Sequence, residues 1–142
     1  MRKYLVVANQ TLGGRHLIEK VHDLASKETC SFHVLVPSTP PQNHLTWTEG
    51  TARSLAEERL DAALQVIRSA GAQATGEVGD WRPMNAILDA LREQDFDDVI
   101  ISTLPHGLSK WLRQDLPHRV SRVIGRPVIH IVAEAETAGA RT

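Results

Sequence analysis

The 142-residue sequence predicts one α/β domain built on a doubly wound, mostly parallel sheet of five strands. Strand-like apolar runs alternate with segments of helical periodicity along the whole chain, with no linker and no internal repeat between them. Most of these runs are apolar throughout, which is typical of strands that helices cover on both faces. The length fits a single domain.

The first half of the chain predicts a strand, a helix, a second strand and a long helix. These elements are expected over 4–8, 17–25, 32–36 and 51–70, because apolar residues run continuously in the strands and recur at helical spacing in the helices. Pro37 closes the second strand. The proline-rich stretch after it, 38–48, has no period and is expected to be a loop.

The third strand and the helix after it carry weaker signals. The strand is expected over 74–78, where Gly76 interrupts it. Asp80 is expected to be the N-cap of the next helix, with Pro83 in the first turn, where its missing N–H costs nothing. Apolar residues at i, i+3, i+4 and i+7 from Met84 then define the buried face of this helix.

Two further strands and a helix complete the predicted sheet. The strands are expected over 98–102 and 127–132, with a short segment at 108–112 and a helix over 116–124 between them. Asp115 directly precedes a Leu-Pro pair and is expected to be the N-cap of that helix. Its carboxylate would then occupy the positive end of the helix.

Composition excludes several classes of protein. The chain has 16 Lys+Arg against 17 Asp+Glu, so no global field attracts nucleic acid or an anionic membrane. A single cysteine, Cys30, excludes an intrachain disulfide, a zinc knuckle and an iron–sulfur cluster, and is expected to be a small core residue. Aromatic residues make up 4%, which argues against a base-stacking platform.

No targeting or membrane segment is apparent in the sequence. The apolar run over 5–8 is too short for a signal peptide. No window approaches the ~20 apolar residues of a membrane helix. We therefore expect a cytoplasmic protein.

The near-zero net charge conceals two segments of opposite sign. From Glu77 to Asp98 there are seven acidic and two basic residues, net −5. From His106 to Arg126 there are five basic residues and one acidic residue, net +4, and that acid is Asp115. The second segment therefore predicts a basic rim near the end of the fourth strand.

The order of elements resembles that of the universal stress protein family. The matching segments are Asp98–Ile101 (fourth strand), Gly107–Ser109 (end of the following loop), Arg119–Val120 (last helix), Pro127–Ile129 (fifth strand), and Gly79 with Pro83 and Ile87. The resemblance covers Lys3 to about Ala133. It implies a three-layer sandwich, similar to flavodoxin-like and adenine-nucleotide-hydrolase-like folds, with strand order 3-2-1-4-5 over a domain 1–133. It also implies a homodimer joined through the last strand, Val128 to Val132. The last stretch, 134–142, is small and polar and is expected to be a flexible tail.

In such a fold, ligands bind beyond the carboxyl ends of the strands. The resemblance implies that backbone near the end of the second strand contacts adenine. The candidate binding residues, all in or beside these loops, are Asn9, Gln10, Thr11, Gly13, Val36, Pro37, Ser102, Thr103, Gly107, Ser109 and Asp115. The Gly13-Gly14 pair predicts either a phosphate-cradling loop or simply a tight turn.

The family's ATP-binding motif is altered at three places. Asn9 stands where ATP-binding members carry an acidic residue, and Pro105 removes an N–H from a loop with one glycine. Gln114-Asp115 replaces the Gly-Ser/Thr pair that contacts phosphates. We therefore predict that ATP does not bind in the family manner. Because Lys110, Arg113 and Arg119 could offset Asp115, nucleotide binding through a rearranged loop, with slow ATP hydrolysis, is the alternative.

No catalytic or metal-ligating set stands out. Ser109, His106 and Asp115 share one short stretch, but no nucleophile elbow surrounds the serine. The seven histidines do not adopt a metal-ligand spacing, and His33 and His130 are expected to be satisfied within the sheet or at an interface. The sequence thus favours a binding or regulatory module over an enzyme, with a small-molecule ligand possible. Trp47 and Trp111 could each be either packing residues or contact points for a ligand or partner.

Overall fold

Helices cover both faces of a five-stranded sheet. A computed structural model of the protein describes residues 1–9, 11, 12, 15–38, 48–105 and 110–132. The strands are β1 (Arg2–Val7), β2 (Cys30–Pro37), β3 (Gln73–Gly79), β4 (Asp98–Thr103) and β5 (Ile129–Val132). The helices are α1 (Arg15–Lys27), α2 (Glu49–Ser69), α3 (Pro83–Glu93), α4 (Lys110–Arg113) and α5 (Leu116–Ile124).

All four strand pairs are parallel, and the strand order is β3-β2-β1-β4-β5. This confirms the predicted fold class and strand order. The central strand β1 pairs with β2 on one side and with β4 on the other, so the order reverses there. In parallel sheets of this type, the crevice at that reversal lies beyond the carboxyl ends of the strands.

Each face of the sheet has its own core. On one face, Phe32 and Val34 of β2 pack against α1 and α2 through side chains such as Leu17 and Ile67. On the other face, Leu5 and Val7 of β1 pack against α3 and α5, with the buried residues Ile87, Leu116 and Val120. Because successive strand residues point to opposite faces, two covered faces require the continuous apolar runs seen in the sequence.

Cys30 and Trp111 both belong to these cores. Cys30 is buried in the first core, and this burial raises the pKa of its thiol. The prediction that Cys30 is a core residue is confirmed. Trp111 is only 8% exposed and lies in the second core, so it is a packing residue.

The predicted weak strand is a full strand, and its glycine has a structural reason. A Cβ on Gly76 would lie 2.5 Å from Leu60 Cδ1 and 2.9 Å from the Val34 carbonyl oxygen. Gly79 at the end of β3 similarly allows Ala86 of α3 to approach the sheet, at 2.9 Å from a Cβ placed there. The glycines therefore permit both helix layers to pack closely on the edge strand.

The N-cap of α3 is Arg82, not Asp80 as the sequence analysis expected. The residue before a proline is biased to extended backbone, and Arg82 has φ −88° and ψ 110°, so the helix begins at Pro83. Asp80 instead accepts hydrogen bonds from the backbone N–H of Arg82 at 2.8 Å and from its guanidinium. These bonds lower the pKa of the Asp80 carboxyl.

The amino ends of β1 and β4 are joined by charged side chains. Arg2 donates to the Asp98 carboxylate at 2.6 Å, and Arg126, just after α5, lies 3.7 Å from the same carboxylate. The backbone N–H of Lys3 donates to Asp97 at 2.7 Å. This network ties three separate segments together at the end of the sheet opposite the expected binding crevice.

Some predicted features lie outside the described residues. These are the Trp47 loop and the tail 134–142. Within the part of the chain that the structure describes, no helix has both the length and the apolar character needed to cross a bilayer.

Candidate functional site

The carboxyl ends of β1, β2 and β4 bring polar side chains together in an otherwise apolar layer. The buried polar residues here are Asn9, Thr11, Ser38, Ser102 and Thr103. Ser102 and Thr103 end β4, Ser38 directly follows β2, and Asn9 and Thr11 lie two and four positions after β1, so the parallel topology places all of them at one edge of the sheet. Buried polar groups require hydrogen-bond partners, and each of these residues has one within the chain.

Asn9 is held at both ends of its carboxamide. Its Nδ2 donates to the carbonyl oxygen of Pro37 at 2.7 Å, and its Oδ1 accepts from Nη1 of Arg59 at 2.6 Å. The first bond joins the ends of β1 and β2, and the second reaches into the middle of α2. The side chain at the family's acidic position, and the carbonyl at the expected adenine-contacting position, are therefore bonded to each other.

Two further bonds join the end of β4 to the segment after β1 and to β5. The hydroxyls of Thr11 and Ser102 are 2.7 Å apart. The hydroxyl of Thr103 lies 2.9 Å from Nε2 of His130. Thr11 and Ser102 are each about 1% exposed, so their hydroxyl pair is a closed contact between the segment after β1 and strand β4 rather than an open donor pair.

The β2 and β3 ends are closed in the same way. Ser38 donates to the Gly79 carbonyl oxygen both from its backbone N–H, at 3.2 Å, and from its hydroxyl, at 3.1 Å. Across the described part of this edge, the polar groups of neighbouring strand ends therefore satisfy one another. A ligand at these groups would have to replace existing bonds.

Asp115 occupies the N-cap position of α5, as predicted, but its carboxylate does not cap the helix. The residue has left-handed backbone, with φ 58°, because only Gln114 separates it from the end of α4 and the chain turns sharply there. Its side chain is 62% exposed and lies 3.2 Å from Nδ1 of His118. The expectation that this carboxylate covers its own helix N–H groups was wrong.

The candidate residues divide into four groups. The structure brings together Asn9, Thr11, Pro37, Ser102 and Thr103 at one edge, whereas Val36 is buried in the first core. Asp115 is exposed and bonded to His118. Four candidates lie outside the described residues: Gln10, Gly13, Gly107 and Ser109.

Sequence reasoning missed Arg59 as a site residue. It lies on α2 beside the apolar stripe and is 50 positions from Asn9 in the sequence. A charged residue at such a position is typical of the exposed surface of a helix. The one available sign was its position directly before the buried Leu60. From such a position a long side chain can extend along the edge of the core.

The histidines do not form a metal centre within the described residues, where no group of three potential ligands occurs. His33 on β2 bonds to Thr75 at 2.8 Å and to Glu77 at 2.9 Å, both on β3. His130 on β5 bonds to Thr103. The prediction that both are satisfied within the sheet or at an interface is confirmed, and the partners of both lie within the sheet.

A separate open groove lies between β3 and α3. It has a volume of about 500 Å³. Its floor is apolar and its rim carries charges of both signs, the lining residues being Leu35, Arg53, Glu77, Val78, Gly79, Asp80, Ala86, Asp89, Arg92 and Glu93. Most of these charges have partners nearby: Asp80 with Arg82, Asp89 with Arg92. None of the predicted site residues lines it.

The structure is similar to that of a universal stress protein from Archaeoglobus fulgidus. The TM-score is 0.60 at 16% sequence identity, covering 94% of this chain and 94% of that one. No family model and no curated protein sequence matches the chain. The chain therefore has the fold of a universal stress protein, as the resemblance in its sequence implied.

Proposed function

We propose that this protein is a divergent, universal-stress-protein-like module that acts by binding or regulation in the cytoplasm and does not bind ATP in the family manner. The observation that carries the proposal is the bonding of Asn9. Its amide engages both the Pro37 carbonyl and the Arg59 guanidinium. A base seated at these groups would have to break two short hydrogen bonds, one buried and one half-buried, and an unmade buried bond is costly.

The charge at this position also argues against ATP in the family manner. Family members that bind ATP carry a carboxylate here, whereas this chain has a neutral amide next to a guanidinium. Pro105, after β4, supplies no backbone N–H to a phosphate. Both differences concern groups that would meet the nucleotide directly.

We propose further that the module is a homodimer joined through β5. This strand is the outer member of the sheet beyond β4. Ile129 and Ile131 pack against the first core, and the Val132 side chain is 46% exposed. Proteins usually pair or blunt such an edge, and an apolar one favours pairing with a second copy.

A second candidate function is nucleotide binding through a rearranged loop, with slow ATP hydrolysis. One observation favours it. The Asp115 carboxylate is turned to His118 and leaves the helix N–H groups of α5 without a side-chain cap. The start of α5 therefore lacks the built-in negative group that would repel a phosphate there.

Native mass spectrometry of the purified protein tests these proposals together. We expect the mass of a dimer, with no adenine nucleotide retained. A monomer at micromolar concentration would contradict the dimer. A bound mass equal to ADP or ATP would favour the second candidate function, and the retained nucleotide would identify the ligand.

A further inference from the structure

The two edges of the sheet are not equivalent, because arginines of α2 bond to the outer backbone of β3. Arg68 donates from Nε at 3.1 Å and from Nη2 at 2.8 Å to the carbonyl oxygen of Ala74. Arg53 of the same helix lies near the other end of β3, where its Nη2 is 3.4 Å from the carbonyl oxygen of Val78.

 The two arginines are 15 residues apart in α2, which is about four helical turns, and their contacts lie near opposite ends of the strand.

The two carbonyls that these arginines meet point away from the rest of the sheet. Gly79, the next residue after Val78, directs its carbonyl toward β2, where it accepts from Ser38. Because successive residues of a strand direct their backbone groups to opposite sides, Ala74, Gly76 and Val78 present theirs at the outer edge. The arginines therefore bond to the first and last of these three outward positions.

We propose that Arg53 and Arg68 are edge caps, which keep β3 closed to strand addition by a second copy of the chain. A strand that paired with β3 would need the carbonyls of Ala74 and Val78 as acceptors for its own N–H groups. The guanidinium groups already donate to these oxygens. Pairing between two β3 edges would also bring the arginines of both copies together, and like charges repel.

This proposal does not rest on the dimer proposed above, because it concerns the opposite edge of the sheet. Each of the two proposals can also be contradicted without the other. Loss of the β5 dimer would change the mass of the unmodified protein, whereas the edge caps predict a change only when the arginines are removed.

The test is the double variant Arg53→Ala/Arg68→Ala, studied by sedimentation velocity over a range of protein concentrations. We expect it to self-associate beyond the mass of the unmodified protein, at least about tenfold more strongly, because the freed carbonyls become acceptors for another strand. Hydrogen exchange locates the contact. The amides of Gly76 and Val78 should exchange more slowly as the concentration of the variant rises.

Two control variants separate edge capping from a general loss of charge. Arg119→Ala/Arg122→Ala removes the same charge from exposed positions on α5 and should leave the mass unchanged. Arg53→Lys/Arg68→Lys keeps the charge at the β3 edge and should also keep it closed. If the double alanine variant does not fold, Arg53→Ala alone exposes the Val78 carbonyl and should show the same change in smaller degree.

A folded alanine variant, double or single, would overturn the proposal if its mass and its Gly76 and Val78 exchange rates matched those of the unmodified protein at every concentration. The arginines would then serve only to fasten α2 to β3. Equal association of the α5 control variant would overturn it as well, since charge alone would explain the change.

Discussion

The carboxamide of Asn9 bridges the carbonyl oxygen of Pro37, at 2.7 Å, and the guanidinium of Arg59, at 2.6 Å. It thereby connects the ends of two adjacent strands to a helix on one face of the sheet. The resemblance in the sequence implies that ATP-binding members of the universal stress protein family hold the nucleotide at the same edge. Here the Asn9 side chain at this edge makes two structural hydrogen bonds, and their contribution to stability can be measured.

Replacing Asn9 with alanine removes both bonds and leaves the Pro37 carbonyl without this donor. We expect Asn9→Ala to lower the free energy of unfolding by about 2–3 kcal/mol, measured by urea denaturation. Gln65→Ala, at an exposed position on α2, is the control and should change it by less than about 0.5 kcal/mol. Equal stability of Asn9→Ala and the unmodified protein would show that the bridge is not structural.

The Asn9–Arg59 bond can be isolated with a double-mutant cycle. We expect Asn9→Ala and Arg59→Ala to be non-additive by about 1–2 kcal/mol, because each removes the same hydrogen bond. Denaturation of the two single variants and the double variant gives this coupling. Additivity within about 0.3 kcal/mol would mean that the two side chains do not interact in solution.

Gly76 should resist any side chain. We expect Gly76→Ala to lower the free energy of unfolding by about 1–3 kcal/mol, because its Cβ would meet Leu60 and the backbone of Val34. Gly50→Ala, in the first turn of α2, meets no atom closer than 3.8 Å and should raise stability by up to about 1 kcal/mol. Thermal unfolding of the two variants should therefore shift in opposite directions, and a shared direction would contradict the packing described here.

The Asp98 network should contribute more than an isolated surface pair. We expect Asp98→Ala to cost about 1–2 kcal/mol, because a carboxylate that is only 20% exposed bonds to Arg2 and lies near Arg126. Asp89→Ala breaks the exposed pair with Arg92 and should cost less than about 0.5 kcal/mol. Urea denaturation compares the two variants, and equal losses would show that the network adds nothing.

The Asp80 carboxyl predicts a pH-dependent difference in stability. Its bonds from Arg82 lower its pKa in the folded protein below the ordinary value of 3.8. Such a group stabilises the folded protein above the unfolded pKa and loses that effect as pH falls through the folded pKa. We expect Asp80→Asn to be less stable than the unmodified protein at neutral pH. This difference in stability should shrink as the pH falls below 3.8, the ordinary pKa of the carboxyl. A difference that stays constant across acid titration would contradict this.

The layered fold could be predicted from the sequence, because it depends on local patterns of apolar residues. Apolar runs and helical spacing recover every strand, and the predicted bounds of the last helix match α5. The predictions were wrong where neighbouring residues favour different local structures. Proline at 83 moves the start of α3 past Asp80, and the close approach of α4 and α5 forces Asp115 into left-handed backbone.

The site was harder to predict because its bonds join distant parts of the chain. The candidate list included Asn9 and Pro37, and the structure brings them together. Nothing local marks Arg59 as the partner of Asn9, since the contact depends on how α2 crosses the sheet. The same holds for Arg53 and Arg68, whose carbonyl partners lie on the strand that follows their helix.

Calorimetric titration of the purified, folded protein with ATP and magnesium tests the central claim most directly. Because Asn9 is bonded to both Pro37 and Arg59, we predict no saturable heat of binding up to millimolar nucleotide. Saturable binding with a micromolar Kd, weakened in the Asn9→Ala variant, would contradict the claim and place the nucleotide at this edge of the sheet.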